Sequence, residues 1–132
     1  SRRVRTSEIK LPGKAAFATN LLDQARKGDD PMIWGEMAAV LARESAMFRT
    51  SGCVVLDIAR VSAGLLDAAV IFRPEASDLD LGVTLAMESG ALTGDFSGNP
   101  SAGNAKQLVV ANPKLFREVL KVLHPFRGRL PR

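Results

Sequence analysis

Two carboxylates stand two residues apart at the start of a predicted helix, at Asp78 and Asp80. Carboxylate oxygens are the ligands that hard divalent cations such as Mg²⁺ prefer. The same pair also suits a structural role, in which Asp78 caps the helix and Asp80 interacts favourably with its dipole. The spacing alone favours the cap over a metal ligand, and both interpretations stay open at this point.

The turn Ser51-Gly52-Cys53 separates a predicted strand from a predicted helix. The first N–H groups of a helix lack partners within it, and together with the helix dipole they attract anions such as phosphate. A tight turn without a ligand would use the same residues. A nucleophilic Cys53 would need a nearby base, and the single histidine, His124, lies far away on the last predicted helix.

Two further carboxylates and one loop each allow two interpretations. Asp57 and Asp67 are either functional carboxylates or structural ones that cap a helix or pair with an arginine such as Arg60. The loop over residues 98–103 has two glycines, but it follows no clear strand-to-helix turn, so it favours a surface loop over a phosphate-binding loop.

Composition restricts the class of protein. The chain has 132 residues, of which 46% are apolar and 24% charged, which is typical of one globular domain with a core. It is too apolar to be disordered, and its apolar runs are too short to cross a membrane. The single cysteine excludes an internal disulfide and a multi-cysteine zinc site. We expect a cytoplasmic protein without a membrane partner.

The positive charge is concentrated at the two ends. The net charge is +4, with +3 in residues 1–10, +5 in residues 114–132 and −4 in residues 11–113. A nucleic-acid interface more often places basic residues along one folded face, interleaved with aromatic side chains. We therefore expect solvated basic ends, and binding of nucleic acid is the weaker hypothesis.

Helices and short apolar strands alternate along the sequence. Asp30-Pro31 and Asn112-Pro113 combine a capping residue with a proline at the first helical position, and Gly64 and Gly90 are typical helix stops. The pattern predicts strands over 3–7, 15–19, 47–50, 68–72, 91–96 and 107–111, and helices over 31–46, 53–63, 79–89 and 113–124. Residues 23–30 favour a loop or frayed helix. This alternation predicts a layered α/β domain over residues 1–125, followed by a basic tail over 126–132.

Three motifs together resemble the inositol monophosphatase family. Residues 51–68 are similar to the stretch Gly-Ser-Ala-Ala-Leu-Asp-Leu-Ala…Val-Ala-Ala-Gly-Arg-Leu-Asp-Gly of that family. Residues 78–82 and 88–91 resemble its Trp-Asp-x-Ala-Ala-Gly…Glu-Ala-Gly-Gly signature, and the spacing from Asp67 through Asp78 to Glu88 agrees without a gap. Residues 109–113 resemble its Val-Ala-(Ala/Gly)-Asn-Pro. The resemblance covers residues 2–124.

The resemblance implies a fold, a reaction and a set of site residues. Family members are Mg²⁺-dependent, lithium-sensitive phosphomonoesterases, usually homodimers, built from alternating layers of helices and sheets. It implies a layered α/β sandwich for this chain, a Mg²⁺ ligand at Asp78, and an inositol- or sugar-phosphate substrate. The substrate would contact Gly52, Cys53 and Val54, which match the family's Gly-(Ser/Thr)-Ala at the helix entrance.

The departures from the family pattern matter for function. Ser77 stands where the family has Trp, and Ile71 where it often has a Glu that contacts the inositol ring. The family's Gly-x-x-Glu-Glu and Asp-Pro-x-Asp-Gly-Thr motifs, which supply most metal ligands, do not occur. We therefore expect the C-terminal half of such an enzyme, without catalytic residues of its own and inactive without the N-terminal half. The alternative is a non-catalytic binding or regulatory module derived from the family.

Overall fold

The computed structural model describes residues 5–27, 31–100 and 106–130. Within these ranges the strands and helices alternate much as the sequence predicts. The strands are β1 (Ala16–Thr19), β2 (Met47–Arg49), β3 (Ala68–Phe72), β4 (Leu92–Gly94) and β5 (Gln107–Ala111). The helices are α1 (Leu21–Lys27), α2 (Pro31–Glu44), α3 (Val54–Ser62), α4 (Ala76–Ser89) and α5 (Pro113–Leu123), with short 3-10 helices at Pro12–Lys14 and His124–Arg129.

The five strands form one mixed sheet in the order β2-β1-β3-β5-β4. β1 runs parallel to β2 and β3, whereas β5 runs antiparallel to β3 and β4. All five residues of β3 are buried, as expected for a continuous apolar run that is covered on both faces. Successive β3 side chains point to opposite faces, so Val70 joins one core cluster and Ile71 the other.

The two core clusters define three layers. α2 and α5 pack on one face of the sheet through Trp34, Met37 and Leu115, and α3 and α4 pack on the other through Ile58 and Leu79. The layered α/β fold predicted from the sequence is therefore confirmed. No helix among the described residues is both long and apolar enough to span a membrane.

Most helix boundaries follow the predicted signals. Asn112 caps α5, because its Oδ1 accepts a hydrogen bond from the Leu115 N–H at 2.9 Å. Gly64 and Gly90 follow α3 and α4 with positive φ, in the left-handed conformation that glycine adopts without strain. α2 begins at Pro31 as predicted, whereas its predicted cap Asp30 lies outside the described residues.

Two local predictions are wrong, and a third is resolved between its alternatives. α4 begins at Ala76 with Glu75 at the N-cap position, so Asp78 lies in the first turn and does not cap the helix. Residues 23–30 are predicted as a loop or a frayed helix, and as far as Lys27 the structure shows a helix, which begins at Leu21 because that side chain is buried in the core. A strand is predicted over residues 3–7, of which residues 3 and 4 lie outside the described residues. Residues 5–7 are not in a strand, because the Thr6 N–H donates to the Ser89 carbonyl and the Asn112 side chain donates to the Ser7 carbonyl.

The predicted basic tail begins as ordered structure. His124–Arg129 forms a 3-10 helix in which Phe126 is only 6% exposed and packs into the core. Arg129 donates to Glu36 of α2 at 2.8 Å. The division into residues 1–125 and a tail stays a prediction.

Candidate functional site

A cleft of about 250 Å³ lies at the carboxyl ends of β1 and β3. The entrance of α3 lines it with Gly52, Cys53 and Val54, and the first turn of α4 lines it with Asp78. The structure thus brings together every residue that the family resemblance assigns to the site, although Val54 and Asp78 lie on different helices. Their roles in binding stay predictions.

The entrance of α3 is shaped by a local hydrogen-bond network. The Ser51 hydroxyl accepts a bond from the Cys53 N–H at 3.0 Å and donates one to Asp57 Oδ1 at 2.7 Å. Gly52 has φ +80°, and a Cβ placed there would meet no atom within 4 Å. Cys53 provides no side-chain cap. The N–H groups of the first turn of α3 are therefore open to an anion in the cleft.

Asp57 lies beneath this turn and is only 2% exposed. Burial raises the pKa of its carboxyl, while the Ser51 hydrogen bond and the positive charge of Arg60 act in the opposite direction. The carboxyl supports the turn through Ser51 and also lines the cleft, so both of its interpretations stay predictions. Asp67 is structural, because its Oδ2 accepts a bond from the Ala16 N–H at 2.7 Å.

We expect Asp57→Asn to stabilise the fold at neutral pH. A raised native pKa means that the native state binds this proton more tightly than the unfolded chain does. The stabilisation from the protonated carboxyl is therefore complete below about pH 4 and is lost as the pH rises through the native pKa. The neutral amide keeps an acceptor for Ser51 and avoids a buried charge. Urea unfolding should show the variant more stable than the parent at pH 7, with the difference shrinking toward pH 3.

The control for this prediction is Asp80→Asn, which makes the same chemical change on an exposed side chain. It should leave the free energy of unfolding unchanged at both pH values. A parent protein more stable than Asp57→Asn at pH 7 would contradict the prediction.

A second network closes the cleft from the side of β3. Asn20 Nδ2 donates to the Phe72 carbonyl at 2.7 Å, and the Phe72 N–H donates back to Asn20 Oδ1 at 2.8 Å. This pair ties the loop after β1 to the end of β3 across 52 residues. The sequence reasoning missed it, since an asparagine that follows a strand resembles an ordinary turn residue.

Arg73, on the rim of the same cleft, is the one non-glycine residue with positive φ among the described residues, at +52°. Its guanidinium lies 5.1 Å from the centre of the Phe72 ring. Backbone strain of this kind is often found at functional sites. The apolar pattern of the strand gives no signal for it.

The Asp78 side chain is half-buried and, within the described part of the chain, has neither a hydrogen bond nor a salt bridge. Asp80 is exposed and does not line the cleft.

The two positions that depart from the family pattern lie away from the cleft lining. Ile71 is fully buried in the core, so residue 71 does not reach the cleft, and Ser77 is exposed. His124 is exposed beside Arg127, and Cys53 is an exposed free thiol that this histidine does not contact among the described residues.

The described residues do not complete a metal site. Among them no group of three or more His, Cys, Asp or Glu side chains is placed to hold a metal ion. Asp78 is a free carboxylate of the type that Mg²⁺ prefers, but a tightly bound ion needs several such oxygens. The described residues therefore do not supply a complete set of metal ligands.

Comparison with known proteins defines the class of fold. An inositol monophosphatase from Staphylococcus aureus, whose crystal structure contains inositol monophosphate, superposes with a TM-score of 0.83 at 21% sequence identity. The match covers 98% of this chain and 49% of that protein. The layered α/β arrangement described above is thus that of the inositol monophosphatases.

Sequence relatives identify the family. The chain is 30% identical over 124 residues to the Nus factor SuhB of Pseudomonas aeruginosa, covering 94% of this chain and 46% of the relative. It is 30% identical over 88 residues to the inositol-1-monophosphatase ImpA of Mycolicibacterium smegmatis, and the match covers 67% of this chain and 32% of that relative. No family model matches the chain. The chain belongs to the inositol monophosphatase family, corresponds to its C-terminal part, and spans about half the length, or less, of these curated relatives.

Proposed function

We propose that this chain is the C-terminal part of a Mg²⁺-dependent phosphatase that hydrolyses inositol- or sugar-phosphate monoesters. The observation that carries the proposal is the cleft in which the α3 entrance and Asp78 meet. Both features match family motifs, and a relative is named inositol-1-monophosphatase. In this proposal the chain is inactive without an N-terminal half that supplies the other metal ligands.

The α3 entrance is suited to hold the phosphate group. The first-turn N–H groups donate to oxyanions, and the dipole of α3 adds a favourable field. Gly52 has no side chain, and the space beside it is open, so a phosphate can approach the backbone closely. Cys53 and Val54 would form the neighbouring wall of the cleft.

Asp78 would act as one metal ligand that this chain contributes. When bound, Mg²⁺ neutralises phosphate charge and activates a water molecule. Residues 11–113 carry a net charge of −4, which repels a phosphate and makes a cation necessary beside it. Asp78 is available for this role because it has no partner among the described residues.

The substrate class follows from the lining of the cleft. Residue 71 is Ile and is buried, so recognition of a polyol ring cannot use this position. Arg73 and Glu75 line the cleft and would supply polar contacts to hydroxyl groups. The staphylococcal neighbour crystallised with inositol monophosphate supports a phosphorylated polyol. The homodimer and the cytoplasmic location that we expect stay predictions.

The test is an assay of the full chain, alone and fused behind the N-terminal half of the Pseudomonas aeruginosa relative. With Mg²⁺ and either inositol monophosphate or a sugar phosphate, the chain alone should show no turnover. The fusion should hydrolyse at least one of these esters in a reaction that EDTA abolishes. Hydrolysis by the chain alone would refute the need for a second half.

The second candidate function is a non-catalytic binding or regulatory module. The burial of Ile71 and the replacement of the family tryptophan by the exposed Ser77 favour it, and one relative is named a Nus factor. A fusion that unfolds cooperatively but hydrolyses none of the esters would support this module and reject the phosphatase.

A further inference from the structure

A second cleft, of about 500 Å³, lies at the other end of α4. It is bounded by residues 5–10, by the end of α4 at Ser89 and Gly90, and by the start of α5. The first turn of α4 lines the first cleft and its last residue lines the second, so almost the whole length of this helix separates the two. The proposed reaction does not use this second cleft, although Ser89, Gly90, Asn112 and Pro113, which line it, lie in the stretches that resemble family motifs.

The segment over residues 5–10 is fixed although it has no regular secondary structure. Asn112 Nδ2 donates to the carbonyls of Ser7 at 3.0 Å and Ile9 at 2.7 Å. The Thr6 N–H donates to the Ser89 carbonyl at 3.3 Å. These bonds hold the segment against the start of α5, so the cleft is formed before any ligand arrives.

Three cationic side chains line this cleft: Arg5, Lys10 and Lys114. The neighbouring Lys10 side chain lowers the pKa of Lys114, whereas the negative charge of Glu8, which also lines the cleft, raises it. Within the described ranges none of the three cations forms a salt bridge. Two ammonium groups on the rim of one cleft repel each other, and an anion between them would be attracted to both.

Two further features favour an anion at the same place. Ser7 lines the cleft, and its hydroxyl oxygen is buried without a hydrogen-bond partner in the described structure. A buried hydroxyl normally has a partner, so this one is free to donate to a ligand. Lys114 lies in the first turn of α5, where a positive charge opposes the helix dipole. Such a local conflict is expected where a residue serves binding.

We propose that this cleft binds the phosphate group of a small phosphorylated molecule, with Lys10 and Lys114 supplying charge and Ser7 a hydrogen bond. Arg5 lies on the same rim and can contact a second oxygen. None of the residues that line the cleft is aromatic, so it offers no surface on which nucleic-acid bases could stack. This lining favours a small phosphate compound over a nucleic-acid strand.

The experiment titrates the full, isotopically labelled chain with inorganic phosphate at constant ionic strength. Amide NMR signals of Ser7, Gly90 and Lys114 should shift together and give one dissociation constant. The double variant Lys10→Gln/Lys114→Gln should weaken this binding about tenfold or more, since each charged hydrogen bond contributes substantially. Ser7→Ala should weaken it severalfold while leaving the charge unchanged.

The matched control is Lys14→Gln, which removes a positive charge from a nearby position that does not line the cleft. It should change the affinity less than twofold. Asp78→Asn should leave the shifts of Ser7 and Lys114 intact, which separates this site from the proposed catalytic cleft. Thermal unfolding of each variant confirms that the fold is retained.

Three results would overturn the proposal. The first is phosphate-induced shifts confined to Gly52 and Cys53. The second is an equal loss of affinity in Lys14→Gln, which would indicate a diffuse electrostatic effect. The third is a short single-stranded RNA that binds more tightly than phosphate and depends on Lys14 as much as on Lys10, which would identify a nucleic-acid surface.

Discussion

Asp78→Asn should lower the Mg²⁺-dependent phosphatase activity of the intact enzyme, or of the fusion described above, by about a hundredfold or more. A metal ligand contributes several kcal/mol to the transition state when the ion stabilises developing charge. The amide keeps the shape of the side chain but loses its negative charge, so the ion is held more weakly. We expect a higher Mg²⁺ concentration for half-maximal activity together with a lower maximal rate.

The fold should tolerate this substitution. Asp78 has no hydrogen bond or ion pair within the described residues, and it does not cap α4. The free energy of unfolding should therefore fall by no more than about 1 kcal/mol, the size of the favourable interaction between the Asp78 charge and the α4 dipole. A loss of activity accompanied by a large loss of stability would point to a structural role instead.

Asp80→Asn is the matched control for Asp78. It makes the same change two residues along the same helix, on an exposed side chain outside the cleft. Its turnover should stay within about twofold of the parent, because its exposed carboxylate does not line the cleft. Equal activity of the parent and Asp78→Asn would reject Asp78 as a metal ligand.

Asn112→Ala should destabilise the chain by about 2–4 kcal/mol. The substitution removes the cap of α5, which contributes about 1 kcal/mol, and two hydrogen bonds to Ser7 and Ile9 of about 1 kcal/mol each. Asn112 is only 6% exposed, so water does not easily replace these bonds. Urea unfolding followed by circular dichroism measures the change.

Asn112→Asp separates the two roles of this side chain. Its carboxylate still accepts the bond from the Leu115 N–H, but it cannot donate to the carbonyls of Ser7 and Ile9. We expect α5 to persist while the Thr6 amide exchanges its hydrogen faster. A variant as stable as the parent, with unchanged exchange at Thr6, would show that the contacts to residues 5–10 contribute nothing.

The central strand β3 and the ends of several helices could be predicted from the sequence because their signals are local. The apolar run of β3, the cap at Asn112 and the glycine stops at Gly64 and Gly90 each act within a few residues. The motif spacing between Asp67 and Glu88 was equally visible, and it indicated the family before any contact was known. These features determine the layers and indicate the candidate site residues.

The wrong predictions arose where a distant partner overrides a local pattern. Residues 5–7 alternate like a strand, but hydrogen bonds from Asn112, over 100 residues away, hold this segment beside a helix. The polar stretch from Asp23 allows a loop or a frayed helix, and the burial of Leu21 in the core favours the helix. Such contacts depend on the packed layers and leave no periodic signal in the sequence.

Asp78 shows the same difference between what a local sequence pattern indicates and what only the packed fold decides. Its position at a helix start and its match to a family ligand were readable from the chain alone, but its spacing favoured a cap. The folded arrangement was needed to see that α4 begins at Ala76, which leaves Asp78 without a partner among the described residues and beside the α3 entrance.

The two basic ends of the sequence likewise meet only in three dimensions, where Arg5 and Lys10 line one cleft with Lys114. Charge is fixed by composition, whereas the place where charges gather depends on how the layers pack.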